Sequence, residues 1–313
     1  MPFIEIILII LGLCLFEVIS SLDNAVINAE VLSTMSQKAR RWFLLWGILI
    51  AVFLIRGLLP FLILWMANPS LTFIEVISFI THPSEEIGKA VEASSPILFI
   101  GGGTFLIFLF FHWLFLETKH YGLIGEGFIH RQGVWFYAVV SIVLAGMVWF
   151  SLKINPMMAF GAVVGSTAFF ITHGFKENAA RMEEKMLDGT TKMSDISKLL
   201  YLEVIDATFS IDGVLGAFAF TFSIPIILIG NGLGAIVLRH LTIKNIKNVK
   251  KYKYLKNGAM YAIFFLGFVM IAESFGLHIP AWFTPIITII TIGYFFYLSV
   301  KDLKKSQPAP SKE

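Results

Sequence analysis

Long apolar stretches, separated by short polar segments, run through the chain almost from its first residue to its last. A helix that crosses the hydrocarbon core of a bilayer needs about 20 such residues. Most prolines fall at the ends of the stretches, where a helix loses little from the missing N–H. The pattern therefore predicts an all-α polytopic membrane protein. Its nine predicted spans lie near residues 3–34, 39–67, 96–116, 133–152, 156–175, 197–222, 225–243, 257–276 and 281–300.

Composition supports this class of protein and excludes several others. Of the 313 residues, 57% are hydrophobic and 14% are charged, whereas about 25% are charged in an average soluble domain. The single cysteine, Cys14, excludes a disulfide framework and a thiolate metal cluster. The basic residues lie in loops between predicted spans, so nucleic acid is not an expected partner. The sequence has neither a glycine-rich phosphate loop nor HExxH, and we expect no cofactor and no enzymatic activity.

The distribution of lysine and arginine predicts the orientation in the membrane. Under the nine-span arrangement, 21 of the 24 basic residues fall on one side, Lys89 and Lys153 fall on the other, and Arg56 lies within a span. Lysine and arginine concentrate in cytoplasmic loops. We therefore expect a multi-pass protein of the cell (plasma or inner) membrane, with its N-terminus outside, its C-terminus in the cytoplasm and a disordered tail at 306–313.

Two stretches of the sequence repeat one pattern without a gap. Residues 17–24 read EVISSLDN and residues 206–213 read DATFSIDG. Each has an acid, a serine four residues later, an aliphatic residue and then an aspartate. The two copies lie on spans that are predicted to run in opposite directions. We therefore predict a single membrane domain over residues 1–305. Its parts are a first repeat near 3–116, linking spans near 133–175 and an inverted second repeat near 197–300.

The acids of the two copies are the first candidate functional residues: Glu17, Asp23, Asp206 and Asp212. A carboxylate at the bilayer centre costs about 2.5–3.5 kcal/mol, so four that faced lipid would cost on the order of 10–14 kcal/mol. We therefore expect the four to face one another, a cation or water. Inverted repeats with interrupted helices near the midplane are typical of secondary transporter sites.

Oxygen atoms dominate this predicted site, which favours a hard divalent cation. Helix breaks are expected near Asn24 and Gly213, since these residue types leave helical geometry readily and a break would free backbone carbonyls. Carboxylate, amide and hydroxyl oxygens suit magnesium, calcium and manganese better than zinc or copper. We expect Asp23 and Asp212 to bind the ion together with Asn24.

The remaining acids allow two interpretations. Glu17 and Asp206 would lie behind the ion ligands or carry exchanged protons, and Glu203 lies one turn before Asp206. Alternatively, the acids pair with Arg56, Arg239 or one another and only hold the helix bundle together. Arg56 in particular needs an acid or backbone partner within the membrane. We expect it to offset the acidic cluster when no ion is bound.

Both halves of the sequence resemble a known family at these motifs. In the first half SLDNA is followed by SQKARRWFLLWGILIAVFLIRGLL, within residues 11–67, and in the second LEVIDATFSIDGVLGAFAF is followed by GNGLGAIVLRHL, within about 197–243. These segments are similar to the two halves of a TerC protein. The resemblance implies membership of a superfamily of lysine and cation exporters. It also implies export of manganese or a related divalent cation and an older link to tellurium resistance.

The resemblance also implies which residues form the site. The matched positions are Glu17, Asp23, Asn24, Arg56, Glu203, Asp206, Asp212, Asn231 and Arg239. The motif serines Ser21 and Ser210 complete the candidate set. The chain departs from many members by having Gly213 after Asp212, where they have serine, and by extra spans between the repeats. It resembles a divergent branch without an assigned function.

Export of a divalent cation is the leading functional hypothesis, and two others stay open. One is a membrane scaffold that binds or senses metal without transporting it. The other is an intramembrane aspartyl protease, although Asp212 follows Phe209, Ser210 and Ile211 instead of the Gly-x-Gly that such enzymes need before the aspartate. His112 and His173 are further candidates for binding metal or carrying a proton, although a lone histidine within a span is more often a packing residue.

Overall fold

The computed structural model describes residues 2–47, 50, 56–68, 71–81, 85–187, 193–249 and 251–306. Within these residues all regular secondary structure is helical. A π-helical turn, Phe43–Gly47, follows α3, and a 3₁₀ turn, Gly133–Trp135, precedes α8. The α-helices are α1 Phe3–Ser20, α2 Leu22–Ser33, α3 Gln37–Trp42, α4 Arg56–Ala67, α5 Phe73–Thr81, α6 Glu85–Leu116, α7 Glu126–Arg131, α8 Phe136–Leu152, α9 Pro156–Leu187, α10 Asp195–Phe218, α11 Ile224–Val249, α12 Leu255–Ser274 and α13 Phe283–Ser306.

The helices confirm the predicted class, an all-α polytopic membrane protein. Six segments of the described chain are long and apolar enough to cross a membrane: Phe3–Ser20, Val91–Leu116, Gly133–Leu152, Pro156–Lys185, Leu255–Ser274 and Phe283–Lys305. Two shorter apolar helices, Arg56–Ala67 and Ile224–Leu238, accompany them. The count of nine spans and the orientation stay predictions.

Large apolar side chains on the outside of the bundle agree with a lipid surround. On α8, for example, Ile142, Trp149 and Phe150 are exposed over more than half of their surface. A soluble protein rarely exposes so many neighbouring apolar groups, whereas lipid tails are as apolar as these side chains. The outer faces of α8, α9 and α13 therefore face the hydrocarbon.

The predicted first span is two helices, and the expected break in the second motif is absent. Between α1 and α2 the helix is interrupted at Ser21, three residues before Asn24. Hydrogen bonds from Ser21 N–H to the Glu17 carbonyl and from Ala25 N–H to the Ser21 carbonyl bridge the interruption. The prediction of a break at Gly213 was wrong, since α10 continues through that residue to Phe218.

Buried aromatic rings fill the centre of the bundle around α6. This helix packs along both α9 and α12, and α9 also packs against α8. The largest buried rings of this region come from α6, α8 and α9: Phe105, Phe108, Phe110, Trp113, Phe136 and Phe169. α1 packs against α11 and α13, and this second group of helices joins the same apolar core through Phe16 and Phe220.

Glycines set the close spacing of α6 with its two neighbours, α9 and α12. Gly165 of α9 faces the carbonyl oxygen of Gly101, so that a Cβ would collide with it. On the α12 side, a Cβ at Gly103 would lie 2.9 Å from the carbonyl oxygen of Gly267. Membrane helices associate through such backbone contacts because burying apolar surface provides no drive between them in lipid.

We expect Gly165→Ala to destabilise the protein and Gly174→Ala to leave it unchanged or slightly more stable. The added methyl at position 165 forces α6 and α9 apart, at a cost of about 1–3 kcal/mol, as is typical of overpacking. Gly174 lies on the same helix, and nothing lies within 4 Å of a Cβ built there. The measurement is thermal unfolding of the purified protein in detergent. Equal midpoints for the two variants would contradict the close-packing role.

Candidate functional site

The two repeated motifs face each other inside the bundle. Glu17, Ser21 and Asn24 follow one another at helical spacing along α1 and α2, and all three are buried. Ser210 lies four residues after Asp206 on one face of α10, and both are also buried. The side chains of the two copies touch, since Nδ2 of Asn24 donates a hydrogen bond of 2.6 Å to Oδ1 of Asp206. The acid and the serine of each copy therefore meet in one cluster.

A single guanidinium lies between the two motifs. Arg56, the first described residue of α4, forms an ion pair with Oε1 of Glu17. Its Nη2 donates to Ser21 Oγ at 3.2 Å, and its Nε donates to Ser210 Oγ at 3.1 Å. Arg56 is 7% exposed and Glu17 is fully buried. One buried cation thus contacts the equivalent serine of both copies but forms its ion pair with Glu17.

Asp206 has different partners from its counterpart Glu17. Its Oδ1 accepts hydrogen bonds from the amides of Asn24 and Asn28, at 2.6 and 2.8 Å. Ser210 donates to the backbone carbonyl of Asp206 at 2.6 Å. Asn28 was missed as a site residue, although it follows Asn24 by one helical turn and so lies on the same face. Its position in the helix was therefore the available signal.

Asp212 lies beside this cluster, not at its centre. It is six residues beyond Asp206, about one and two-thirds helical turns, which turns its side chain away from the shared face. There it forms an ion pair with Lys176 of α9, a partner that the sequence did not reveal. Oδ1 of Asp212 is buried without a hydrogen-bond partner in the described part of the chain. The side chain of its counterpart Asp23 lies outside the described residues.

Of three other candidates, the structure describes the side chains of Glu203 and Asn231. Glu203 lies one turn before Asp206, and neither of its buried carboxylate oxygens has a hydrogen-bond partner among the described residues. Asn231 is 3% exposed on α11, with Oδ1 likewise without a donor. The side chain of Arg239 lies outside the described residues.

Small residues bring the helices close enough for these contacts. A Cβ at Gly213 would lie 3.2 Å from Oε2 of Glu17, so this glycine lies in close contact with the acid and does not bend the helix. On the other side of Glu17, a Cβ at Gly234 of α11 would lie 2.6 Å from the Glu17 Cβ and 2.8 Å from the carbonyl oxygen of Cys14. Glu17 is therefore held between two glycines from different helices.

Oxygen atoms without hydrogen-bond donors are the main chemical feature of the site. Within the described residues these buried oxygens belong to Glu17 (Oε2), Asn24 and Asn28 (Oδ1), Glu203 (both carboxylate oxygens), Asp212 (Oδ1) and Asn231 (Oδ1). A buried acceptor normally has a donor, an ordered water or an ion. Among the described side chains, no three of the His, Cys, Asp and Glu type are placed to hold a metal ion. The structure instead combines carboxylates with amide oxygens.

Comparison with known families assigns this chain to one of them. The model of the family described as "Protein of unknown function (DUF475)" matches residues 22–306. This range includes the last three residues of the first motif, 22–24, and all of the second. The chain belongs to this family.

Similar proteins of two bacteria are also membrane proteins. The "Uncharacterized membrane protein YceF" of Bacillus subtilis (strain 168) is 27% identical over 118 residues, which are 37% of this chain and 46% of that protein. The "Uncharacterized membrane protein RP786" of Rickettsia prowazekii (strain Madrid E) is 28% identical over 104 residues, 33% of this chain and 35% of that protein. Both matches span less than half of the relative. No solved structure matches the chain.

We expect Arg56→Gln to destabilise the protein strongly, because it leaves the buried Glu17 carboxylate without its counter-charge. Breaking a buried ion pair by removing one partner costs about 3–5 kcal/mol. Glu17→Gln in the same protein should recover part of the loss, so that the double variant is more stable than the sum of the single effects predicts. Thermal unfolding in detergent gives the four values of this double-mutant cycle.

Arg181→Gln is the matched control for this cycle. Arg181 is 76% exposed and lies 4.0 Å from its partner Glu177, so its loss should change stability by less than about 0.5 kcal/mol. If Arg56→Gln were as mild as this control, the Arg56–Glu17 pair would not stabilise the fold.

Proposed function

We propose that this member of the DUF475 family is a TerC-like membrane transporter that exports Mn²⁺ or a related divalent cation. The observation that carries the proposal is the meeting of the two motifs. Asn24 and Asp206 are 182 residues apart in sequence, yet their side chains are bonded in the interior of a membrane protein. Buried acids within a membrane are costly and mark ion pathways. Their convergence from two repeated motifs supports a site for a transported ion.

The charges of the cluster suit a bound cation. Arg56 balances Glu17 and Lys176 balances Asp212. Asp206, by contrast, is hydrogen-bonded by the neutral amides of Asn24 and Asn28. A bound cation would supply counter-charge to Asp206, which matters because uncompensated charge in a low-dielectric interior is costly. The carboxylate and amide oxygens of the cluster are also hard donors of the kind that manganese and magnesium prefer.

In the proposed mechanism the ion binds between the two motif copies. Asp206 and Glu17 supply carboxylate oxygens, and Asn24 and Asn28 supply amide oxygens. Arg56 neutralises the carboxylates when the ion is absent and yields to it when it binds. The two repeats then rock about the site and open it alternately to the two sides of the membrane, as in other transporters with inverted repeats.

Asp212 and Asp23 keep a role on the path of the ion in this proposal. Asp212 lies beside the cluster, and its Oδ1 is buried without a donor within the described chain, so it can contact an ion that enters or leaves the site while Oδ2 stays paired with Lys176. Asp23 is the corresponding residue of the first motif. Sequence similarity to TerC proteins supports both assignments, and it alone supports the direction of transport. The sequence has no nucleotide-binding loop, so an ion gradient or the membrane potential would drive uphill export.

The proposal is tested first by Mn²⁺ binding to the purified protein. We expect Asp206→Asn to weaken binding by at least about 10–100-fold, the loss that even indirect changes around a metal cause. Glu92→Gln is the control, since Glu92 is an exposed carboxylate on α6. Isothermal calorimetry on wild type and both variants gives the affinities. Binding that is unchanged in Asp206→Asn would contradict the proposed ligand.

Transport is tested in proteoliposomes and in cells that are loaded with manganese. We expect the wild type and Glu92→Gln to move Mn²⁺ under an imposed pH gradient and to lower the cell's manganese content, measured by elemental mass spectrometry. At matched expression, Asp206→Asn should do neither. Folded wild-type protein that moves no divalent cation would overturn the transporter proposal. Tight binding without flux would favour the metal-binding scaffold instead.

A further inference from the structure

Two histidines that are far apart in the sequence lie against each other between α6 and α9. The ring centroids of His112 and His173 are 3.9 Å apart, with their planes inclined by 52°. The ring of Phe169 stacks on His173 at 5.7 Å, and the ring of Phe136 meets His112 edge-on at 5.6 Å. His112 is 8% exposed. The two imidazoles therefore share one aromatic pocket and are not lone packing residues.

Each histidine also has its own carboxylate. Nδ1 of His112 lies 3.7 Å from Oε1 of Glu117, and Nε2 of His173 lies 3.4 Å from Oε1 of Glu177. Glu117 follows the membrane-spanning part of α6. Burial opposes its ionisation, but the neighbouring His112 ring and the ammonium of Lys256 outweigh burial and lower the pKa of Glu117 to about 2. Glu117 therefore stays ionised at physiological pH and places a negative charge beside the pair.

The pair is also within one helical turn of an ion pair of the proposed transport site. Lys176 follows His173 by three residues on α9, which places them on the same side of the helix, and it pairs with Asp212 of α10. The groups that act on His173 are thus the neighbouring ring, Glu177, Lys176 and Glu117. Lys256 acts on the histidine pair through Glu117, and Asp212 acts on it through Lys176.

We propose that His112 and His173 form a proton-exchange site that holds a single proton, exchanges it with water at the end of the bundle where Glu117 pairs with Lys256, and senses Asp212 through Lys176. Two imidazolium rings at this separation repel each other, so the second proton binds far more weakly than the first. On release, an N–H bond of one ring breaks and the proton passes to water or to the exposed Glu177. That this proton is exchanged for the metal ion rests on the proposed function.

Titration of the rings tests the shared proton directly, whether or not the protein transports anything. The full chain, labelled with ¹⁵N-histidine and placed in lipid nanodiscs, is followed by NMR from pH 4 to pH 9. We expect the two rings to titrate in two steps separated by more than about one pH unit. In His112→Gln, His173 should titrate in one step. Identical single-step titration of His173 in wild type and His112→Gln would overturn the proposal.

His120→Gln is the control for this titration, because His120 is exposed in the loop after α6. It should leave both steps in place. Should His112→Gln fail to fold, His173→Gln gives the reciprocal measurement on His112.

The connection to Asp212 is tested by moving charge at the Lys176 pair. Asp212→Asn leaves the Lys176 ammonium less compensated, so a proton on His173 is less favourable and the titration midpoint should fall. Lys176→Gln should raise it. Asp302→Asn is the control, because Asp302 near the end of α13 pairs with Lys253, just before α12, at 2.6 Å. Midpoints that move in neither variant would overturn the connection.

Coupling is tested in proteoliposomes by following Mn²⁺ and proton movement together. We expect wild type and His120→Gln to exchange protons for Mn²⁺. The double variant His112→Gln with His173→Gln should lose the proton movement and the pH dependence of Mn²⁺ flux. An unchanged ratio of protons to Mn²⁺ in the double variant would overturn the coupling. If folded wild type moves no ion, the proposed function fails, while the titrations still decide whether the pair shares a proton.

Discussion

A guanidinium buried inside a membrane protein is the constraint that the rest of the site depends on. Arg56 cannot lose its proton, so its charge must be met wherever the fold places it. Glu17 provides the counter-charge, and Ser21 and Ser210 each accept one hydrogen bond from the guanidinium. These three partners come from α1, the junction before α2 and α10. Satisfying one cation therefore fixes how the two repeated motifs approach each other.

The glycines of the bundle make this approach sterically feasible. Glu17 fits between α10 and α11 because Gly213 and Gly234 present no side chain to it. The same device acts away from the site, where Gly101 and Gly165 bring α6 and α9 together. That contact holds α9 close to the core, and from there Lys176 reaches Asp212 and His173 reaches His112. The close packing of α6 and α9 thus determines which charged and titratable side chains meet elsewhere in the bundle.

Sequence patterns predicted the helices and the faces of the site, but not the partners on those faces. Hydropathy marks the apolar helices, and the repeated spacing of acid and serine marks the residues that meet. Asp23 and Asp212 were predicted to be the main ion ligands because they occupy equivalent positions in the two copies of the motif. Yet helical geometry turns Asp212 off the shared face, towards a lysine on a distant helix. The roles of Lys176 and the paired histidines depend on which helices pack together, and no local pattern carries that information. Asn28, in contrast, could be identified from its position one helical turn after Asn24. Gly213 was taken for a bend because glycine serves both bends and close contacts.

The two motifs are equivalent in sequence but have unequal partners in the structure, and this inequality bears on function. Arg56 contacts the serine of both copies and forms its ion pair with Glu17, whereas Asp206 is solvated by two amides. A purely structural ion pair needs no second, equivalent acid at the membrane interior, where each carboxylate is costly. In a transporter built from inverted repeats, the two access states exchange the environments of equivalent groups. In the proposed transport cycle, two related acids, one paired with a cation and one held by neutral donors, would exchange these environments. The proposed transport would thus account for an asymmetry that a static scaffold does not need.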